Sequence, residues 1–300
     1  MSVPVSYVII THNRAADLTE ALQSILRQQY APLEIVVLDN ASTDETPRLF
    51  AGPFNLPNIR YLRSETNLGV SGGRNLALEH ATGELLVTID DDSILRDPDA
   101  TTKMVRRLQS EPDLGVLTFR VVDYWSGELE AGAFPWKDKK RDATREFETT
   151  WFIGTGHIIP RAVYERVGLY QEYFPYGCEE IDLALRILDA GYRIRYFPQV
   201  TVHHKKVTTR HTWRTTRFQA MHLQNRVKVA IRNLPWQYVL TTDLVRSAQV
   251  VLKHSRGNLA AVLLAHWYLA RQMPRLLRER KPIGRETVRR VLKLKGPVLY

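Results

Sequence analysis

The fold is decided by one stretch of the chain, Glu84-Leu85-Leu86-Val87-Thr88-Ile89-Asp90-Asp91-Asp92. Residues 85–89 are apolar except for Thr88, which predicts a strand buried on both faces, as in a mostly parallel sheet. Three carboxylates follow directly, and neighbouring negative charges raise one another's pKa unless a cation neutralises them. Mg²⁺ or Mn²⁺ is the usual cation, because both prefer oxygen ligands. A solvated acidic turn is the alternative at this point.

Strands and helices alternate before this stretch. Predicted strands span residues 5–10, 34–38 and 59–62. Predicted helices span 15–28, a segment that begins at 43 or 44, and a segment that follows the loop 67–75 and runs through His80. This alternation is typical of βαβ units, which form a parallel sheet with helices on both faces. The sequence therefore predicts an α/β fold.

Polar residues follow three of the predicted strands. Thr11 to Arg14 come after the first strand, Asp39 and Asn40 after the second, and Asp90 to Asp92 after the fourth. Ligands bind at the carboxyl ends of such strands, so the coincidence favours a binding site over an acidic turn. The glycines of the segment 67–75 would let backbone approach a phosphate near Arg74, although this signal alone is weak.

The next part of the chain contains a second acidic cluster. We predict a helix over 97–110, strands over 114–122, 151–159 and 192–197, a helix over 161–167, and an irregular segment over 123–150. Another helix begins near Glu179, and its first turn holds Glu179, Glu180 and Asp182. One carboxylate there would be favoured by the helix dipole, but three exceed what capping needs.

The charge distribution divides the chain into two predicted regions, 1–205 and 206–300. The formal net charge is +10, yet residues 203–300 hold 21 lysines and arginines against only three acids. Helices are predicted there over about 212–232, 237–254, 258–280 and 284–294. Their leucines, their arginines and Trp213, Trp236 and Trp267 suit peripheral contact with an anionic membrane. Packing on the body, with the charges merely solvated, is the alternative.

The cysteine content and the first residues of the chain predict the cellular compartment of the protein. The single cysteine, Cys178, excludes a disulfide framework and fits a reducing environment. The start of the chain lacks the basic segment of a secretory signal, and no stretch reaches the roughly 18 apolar residues of a membrane span. We therefore expect a cytoplasmic protein, with any membrane contact on the cytoplasmic face of the inner membrane.

Five motifs in this order resemble the inverting family 2 glycosyltransferases, which have the GT-A fold. The motifs are Val8 to Arg14, Val37 to Asp44, Asn67 to Asn75, Ile89 to Asp92, and Glu179 to Arg186 followed by Ala190-Gly191-Tyr192. They span roughly residues 4–205. The resemblance implies a GT-A, Rossmann-like domain followed by a basic helical region, and transfer of a sugar from a nucleoside diphosphate (UDP, dTDP or GDP) to a glycan or lipid-linked acceptor. Among the reactions of this family, the resemblance favours rhamnosyl or galactofuranosyl transfer in bacterial surface-polysaccharide biosynthesis.

The resemblance also implies roles for individual residues. Those expected to bind the nucleotide are Thr11, Asn13, Arg14, Asp39, Asn40, Arg74, Asp90 and Asp91. Asp92 would bind Mg²⁺ or Mn²⁺ together with Asp90, and His203 matches a histidine ligand of some members, with His204 as the less favoured neighbour. A metal ion and an arginine stabilise the charge that develops on the leaving phosphate.

The catalytic base is expected in the second acidic cluster. The Glu179-Glu180 pair matches the position where the family usually has Glu-Asp, and the second carboxylate of that pair takes the proton of the acceptor hydroxyl. Because Glu180 is one methylene longer than Asp, either Glu180 or Asp182 remains a candidate. Trp151, Gly154 and Gly156 line the acceptor cleft or serve packing.

Two other classes of protein fit parts of the sequence. The basic tail is compatible with nucleic-acid binding, but the acidic cleft would repel phosphate without a metal and the tail has no recognised module. A glycoside hydrolase with two carboxylates would need neither a nucleotide pocket nor an Asp triplet. We therefore expect no nucleic-acid partner.

Overall fold

The computed structural model describes residues 2–138, 140–206, 215–252 and 258–296. The strands are β1 (Val5–Thr11), β2 (Leu33–Asp39), β3 (Ile59–Arg63), β4 (Leu85–Ile89), β5 (Ser93–Leu95), β6 (Leu114–Asp123), β7 (Phe147–Thr149), β8 (Gly156–Pro160) and β9 (Arg193–His204). The helices are α1 (Ala15–Leu26), α2 (Thr46–Ala51), α3 (Gly69–His80), α4 (Ala100–Gln109), α5 (Arg161–Val167), α6 (Glu179–Asp189), α7 (Thr216–Asn233), α8 (Trp236–Leu252), α9 (Leu259–Arg278) and α10 (Arg285–Lys293).

The strands of the described residues form one mixed sheet in the order β3-β2-β1-β4-β8-β6-β9-β5, and β7 pairs with β9. The first four strands in this order are parallel, as predicted, and β8 is antiparallel to both of its neighbours. The predicted α/β architecture, with helices on both faces and a helical C-terminal region, is confirmed.

Successive residues of the central strands face different layers of helices. In β1, Val8 belongs to the hydrophobic cluster that includes α3 and α6, whereas Tyr7 and Ile9 belong to the cluster that includes α1 and α4. Side chains alternate between the faces of a strand, so a strand covered on both faces reads as a continuous apolar run. This explains why β1, β2 and β4 were recognisable from sequence.

The differences from the predicted elements lie in the second half of the sheet. β5 was not predicted, and residues 151–155 precede β8 rather than belonging to a strand. The predicted irregular segment 123–150 contains β7 and is held to β9 by an aromatic cluster of Phe134, Trp136, Phe147 and Tyr196. β9 also continues past Pro198, because pairing with β6 and β5 extends it to His204.

The C-terminal helices share a hydrophobic core with the body. One cluster of buried residues combines Leu183, Ile187 and Leu188 of α6 with Leu223 and Val227 of α7, and it continues into α9 and α10. The predicted boundary between residues 205 and 206 therefore does not separate two cores. Helices are present in the tail where the sequence predicts them. Residues 212–214 (with Trp213) and 253–254 of the predicted helices lie outside the described residues. Among the described helices, none has the length and apolar character needed to cross a bilayer.

Asp182 links α6 to the C-terminal region. Its carboxylate is fully buried and accepts hydrogen bonds from Arg232 at 2.7 and 2.8 Å and from Asn233 at 2.7 Å, both at the end of α7. Arg186 on the next turn of α6 donates a further bond at 3.0 Å. At the other end of α6, Asp189 accepts bonds from Gly284 and Thr287 at the start of α10. These contacts hold both ends of α6 in place.

We predict that Asp182→Ala lowers the free energy of unfolding by about 3–5 kcal/mol, because it leaves two arginines without their buried partner. Chemical denaturation measures this loss. Glu45→Ala is the control, since the Glu45–Arg48 pair (2.6 Å) is exposed and such pairs contribute about 0–1 kcal/mol. An equal change in both variants would contradict a structural role for Asp182.

Candidate active site

The predicted nucleotide-binding segments meet at one edge of the sheet. In the parallel pair β1–β2, Thr11 lies opposite Asp39, and β4 on the other side of β1 ends just before Asp90. The carboxyl ends of the three strands therefore converge, as expected for a mostly parallel sheet. This edge carries the acidic cluster.

The three consecutive aspartates have different partners. Asp90 accepts a hydrogen bond from Arg74 at 3.1 Å, Asp91 accepts one from the Thr11 hydroxyl at 2.7 Å, and Asp92 is paired with Arg14. Burial raises the pKa of Asp91 to about 7, and the charge of Asp92 adds to this effect. Burial also opposes ionisation of Asp92, but His204 and Arg14 hold its pKa below the usual value.

Asp90, Asp92 and His204 form a group that could hold a metal ion. One ligand atom from each of the three lies within 4.8 Å of the others. Nε2 of His204 lies 3.3 Å from Asp92, and Nδ1 lies 2.7 Å from Glu130. Burial lowers the pKa of His204, but hydrogen bonds to Asp92 and Glu130 outweigh this and raise it to about 10. An outer carboxylate that orients a histidine is typical of metal sites, and a bound cation would displace the proton from Nε2 of His204. The donor set therefore fits Mg²⁺ or Mn²⁺.

The histidine of this group differs from the sequence prediction. We expected His203, but in the pairing of β5 with β9 it is His204 that lies opposite Ser93, the residue after Asp92. His203 lies opposite Ile94, and adjacent residues of a strand point to opposite faces. His203 is therefore absent from the group formed by Asp90 and Asp92. Glu130 was also missed, because the segment around it has no periodicity.

Asp39, Asn40 and Asn13 organise the loops beside this group. Asp39 is fully buried and accepts hydrogen bonds from the Tyr61 hydroxyl at 2.6 Å and from the backbone of Ser42 at 2.7 Å. Asn40 accepts a bond from the backbone of Leu68 and donates one to Gly69, which holds the start of α3. Asn13 accepts a bond from the backbone of Thr43 at 2.7 Å. Each of these predicted nucleotide-binding residues thus also has a structural contact.

Arg74 connects the aspartates with the second acidic cluster. Arg74 is 3% exposed, and its guanidinium lies 2.9 Å from Glu180, 3.1 Å from Asp90 and 3.6 Å from Glu179. Burial would lower the pKa of Arg74, but the carboxylates outweigh it and raise that pKa. The one arginine therefore carries its charge among three acids from two different segments of the chain.

The three carboxylates of α6 face different surroundings. Glu180 has a 14% exposed side chain and accepts its hydrogen bond from Arg74. Glu179 is buried, and burial and the charge of Glu180 raise its pKa well above the usual value. Asp182 points toward α7 and is bound by Arg232 and Asn233. Of the two candidates for the base, Glu180 is the one on the Arg74 side.

The predicted acceptor residues fall into two groups. A Cβ atom at Gly154 would meet the Glu180 carboxylate and the Arg74 guanidinium, so this glycine leaves room for their contact. At Gly156 a Cβ would lie 2.9 Å from Val202, and Trp151 is half-buried against the main hydrophobic cluster, so both have packing contacts. Tyr176, which sequence reasoning did not single out, is 48% exposed. Burial is the main cause of its raised pKa, and the charges of Asp90 and Glu179 add to the effect.

Comparison with known proteins identifies the family. The model of glycosyl transferase family 2 matches residues 6–168. The succinoglycan biosynthesis protein ExoO of Rhizobium meliloti is 33% identical over 103 residues, which cover 34% of this chain and 29% of that protein. A glucosyl-dolichyl phosphate glucuronosyltransferase of Haloferax volcanii is 26% identical over 216 residues, 67% of this chain and 69% of that protein.

A solved structure shares the fold over the whole chain. The mannosyltransferase PcManGT of Pyrobaculum calidifontis, in complex with GDP-Man and Mn²⁺, superimposes with a TM-score of 0.60 at 22% identity. The match covers 100% of this chain and 81% of that one. Together with the family match, it confirms the resemblance that the five motifs indicated. The chain belongs to glycosyl transferase family 2 and is a glycosyltransferase with the GT-A fold.

Proposed function

We propose that this glycosyltransferase is a metal-dependent inverting enzyme that moves a sugar from a nucleoside diphosphate to a hydroxyl of a glycan or lipid-linked acceptor. The observation that carries the proposal is the position of Arg74 between Asp90 and Glu180. The donor set of Asp90, Asp92 and His204 lies on one side of it and a carboxylate that could act as a base on the other. The donor classes proposed are UDP-, dTDP- and GDP-sugars.

The donor diphosphate would bind at the edge formed by Thr11, Arg14 and the aspartates. Mg²⁺ or Mn²⁺, held by Asp90, Asp92 and His204, would neutralise the negative charge that develops on the leaving diphosphate. Arg14 pairs with Asp92, but 37% of its side chain is exposed. The exposed part of its guanidinium could bind a phosphate oxygen. Asp39 and Asn40 keep the loops around the nucleoside in place.

Glu180 would take the proton of the acceptor hydroxyl. A direct displacement inverts the configuration of the anomeric carbon. It needs one base on the acceptor side and no enzyme nucleophile. The bond from Arg74 fixes one oxygen of Glu180 and leaves the other for the acceptor. Arg74 keeps the neighbouring charges of Glu179 and Glu180 compatible, while Gly154 provides the space that their contact requires. Gly154 and Tyr176 would border the acceptor.

Three aspects of the proposal come from resemblance and composition. Rhamnosyl and galactofuranosyl donors are the first to test, and surface-polysaccharide biosynthesis is the proposed setting. A cytoplasmic location agrees with the single buried cysteine. Nucleic-acid binding and glycoside hydrolysis, which the sequence left as alternatives, are not proposed, because the chain belongs to a family of transferases.

A donor screen tests the reaction. We expect nucleoside diphosphate to be released from one of the UDP-, dTDP- or GDP-sugars in the presence of Mn²⁺ or Mg²⁺ and to stop when EDTA removes the metal. NMR of the glycoside formed then gives its anomeric configuration. Retention of configuration, or full activity with EDTA, would contradict the inverting or the metal-dependent part of the proposal.

We predict that Asp92→Asn weakens Mn²⁺ binding by roughly 10–100-fold or more, since even the loss of an outer partner of a metal ligand has an effect of this size. Calorimetric titration with Mn²⁺, alone and with UDP or GDP, measures the change directly. Asp138→Asn, in an exposed part of the 123–150 segment, is the control. Equal Mn²⁺ affinity in the wild type and Asp92→Asn would rule out Asp92 as a ligand.

We predict that Glu180→Gln lowers kcat by about 10²–10⁴-fold and leaves nucleotide affinity unchanged, because the amide keeps the shape and the bond to Arg74 but cannot accept a proton. Steady-state kinetics with the donor found by the screen provide the measurement. Asp182→Asn is the comparison variant. Normal turnover by Glu180→Gln, with loss of turnover but normal stability in Asp182→Asn, would reassign the base to Asp182.

A further inference from the structure

Helices α8 and α9 expose large apolar side chains. Leu240 and Leu244 of α8 are 65% and 71% exposed, and Leu263 and Trp267 of α9 are 64% and 52% exposed. We call these four residues the α8–α9 outer face. Scattered apolar residues are normal on a protein surface, but clustered ones mark an interaction site.

The four side chains lie on the side of each helix that faces away from the core. In α9 the buried residues Ala261 and Ala265 precede Leu263 and Trp267 by two positions, which corresponds to about 200° around a helix. In α8 the same offset separates Leu240 from the buried Thr242. Both helices pack against α7 and against each other, and His266, next to Trp267 in α9, lies 3.0 Å from Asp243, next to Leu244 in α8. The exposed side chains of the two helices are therefore neighbours.

Basic residues follow this face along the chain, and two of the three acids of the region have a basic partner. Arg271, Arg278 and Lys281 are exposed, and the Arg271 guanidinium lies 4.8 Å from the centre of the Trp267 ring. Asp243 lies 3.0 Å from His266, and Glu279 lies 2.8 Å from Arg275. The third acid after residue 202 is Glu286. The surroundings of the apolar side chains are therefore positively charged.

We propose that the α8–α9 outer face docks onto an anionic lipid surface, with the leucines and Trp267 in the headgroup region and the arginines against lipid phosphates. Amphipathic helices with leucine and tryptophan on one side and basic residues beside them lie in the membrane interface. Charge complementarity selects this partner, because a protein surface would need an acidic patch, whereas an anionic leaflet attracts any cluster of lysine and arginine. The inference rests on the exterior of α8 and α9 and is independent of the proposed transfer reaction.

Vesicle sedimentation of the full chain tests the proposal. We expect binding to vesicles of phosphatidylcholine mixed with phosphatidylglycerol, little binding to phosphatidylcholine alone, and release as salt screens the charges. The double variant Leu244→Glu/Leu263→Glu should bind the anionic vesicles roughly tenfold or more weakly, since it removes two apolar side chains from the contact. Arg271→Gln/Arg278→Gln should bind less and show a shallower salt dependence.

The matched control is Leu56→Glu, which changes a 36% exposed leucine of the body and should bind the vesicles like the wild type. Point substitutions are used because deleting the segment after residue 271 would also remove Leu276, Ile283 and Val291 from the core. Unchanged vesicle binding by the double leucine variant, with an unchanged melting temperature, would overturn the proposal. A second result would also overturn it: the wild type does not bind the vesicles but forms a dimer, and Leu244→Glu/Leu263→Glu dissociates that dimer. The face would then bind a second copy of the chain.

Discussion

The site depends on one buried cation, the guanidinium of Arg74. Asp90 follows a strand of the central sheet, while Glu179 and Glu180 begin a helix about 90 residues later, and all three reach the same guanidinium. Acids brought this close would repel one another without it, and part of them would become protonated. Arg74 itself is held because Asn40 binds the start of α3 and Gly154 leaves space beside the guanidinium. The two halves of the site are thus joined by a single ion-pair network.

The carboxylates of α6 show how one helix serves two purposes. Glu179 and Glu180 turn toward Arg74, whereas Asp182, a little more than half a turn further on, binds Arg232 and Asn233 of the C-terminal region. Residues two positions apart on a helix do not share a face, so the separation follows from helix geometry. Arg232 and Asn233 of the C-terminal region therefore hold the first turn of α6 through Asp182, while Arg74 contacts Glu179 and Glu180.

Much of the fold and part of the site could be predicted from local sequence. β4 and the three aspartates are evident because a doubly buried strand is a continuous apolar run, and Glu180 because acids at a helix start are conspicuous. His204 could not be chosen over His203, because the choice depends on the pairing of the three-residue strand β5 with the end of β9. Glu130 and the α7 partners of Asp182 were equally inaccessible, since both contacts join segments at least 50 residues apart whose register no local pattern determines.

The shared core of the body and the C-terminal helices bears on what counts as the minimal enzyme. The part of the chain that the family model matches ends at residue 168. A fragment cut there would lose Glu179, Glu180 and His204, so Arg74 would keep Asp90 as its remaining acidic partner within the site. It would also uncover the face of the sheet on which α6 packs. The segment matched by the family model and the hydrophobic core are therefore not coextensive in this protein, because the core extends through α10.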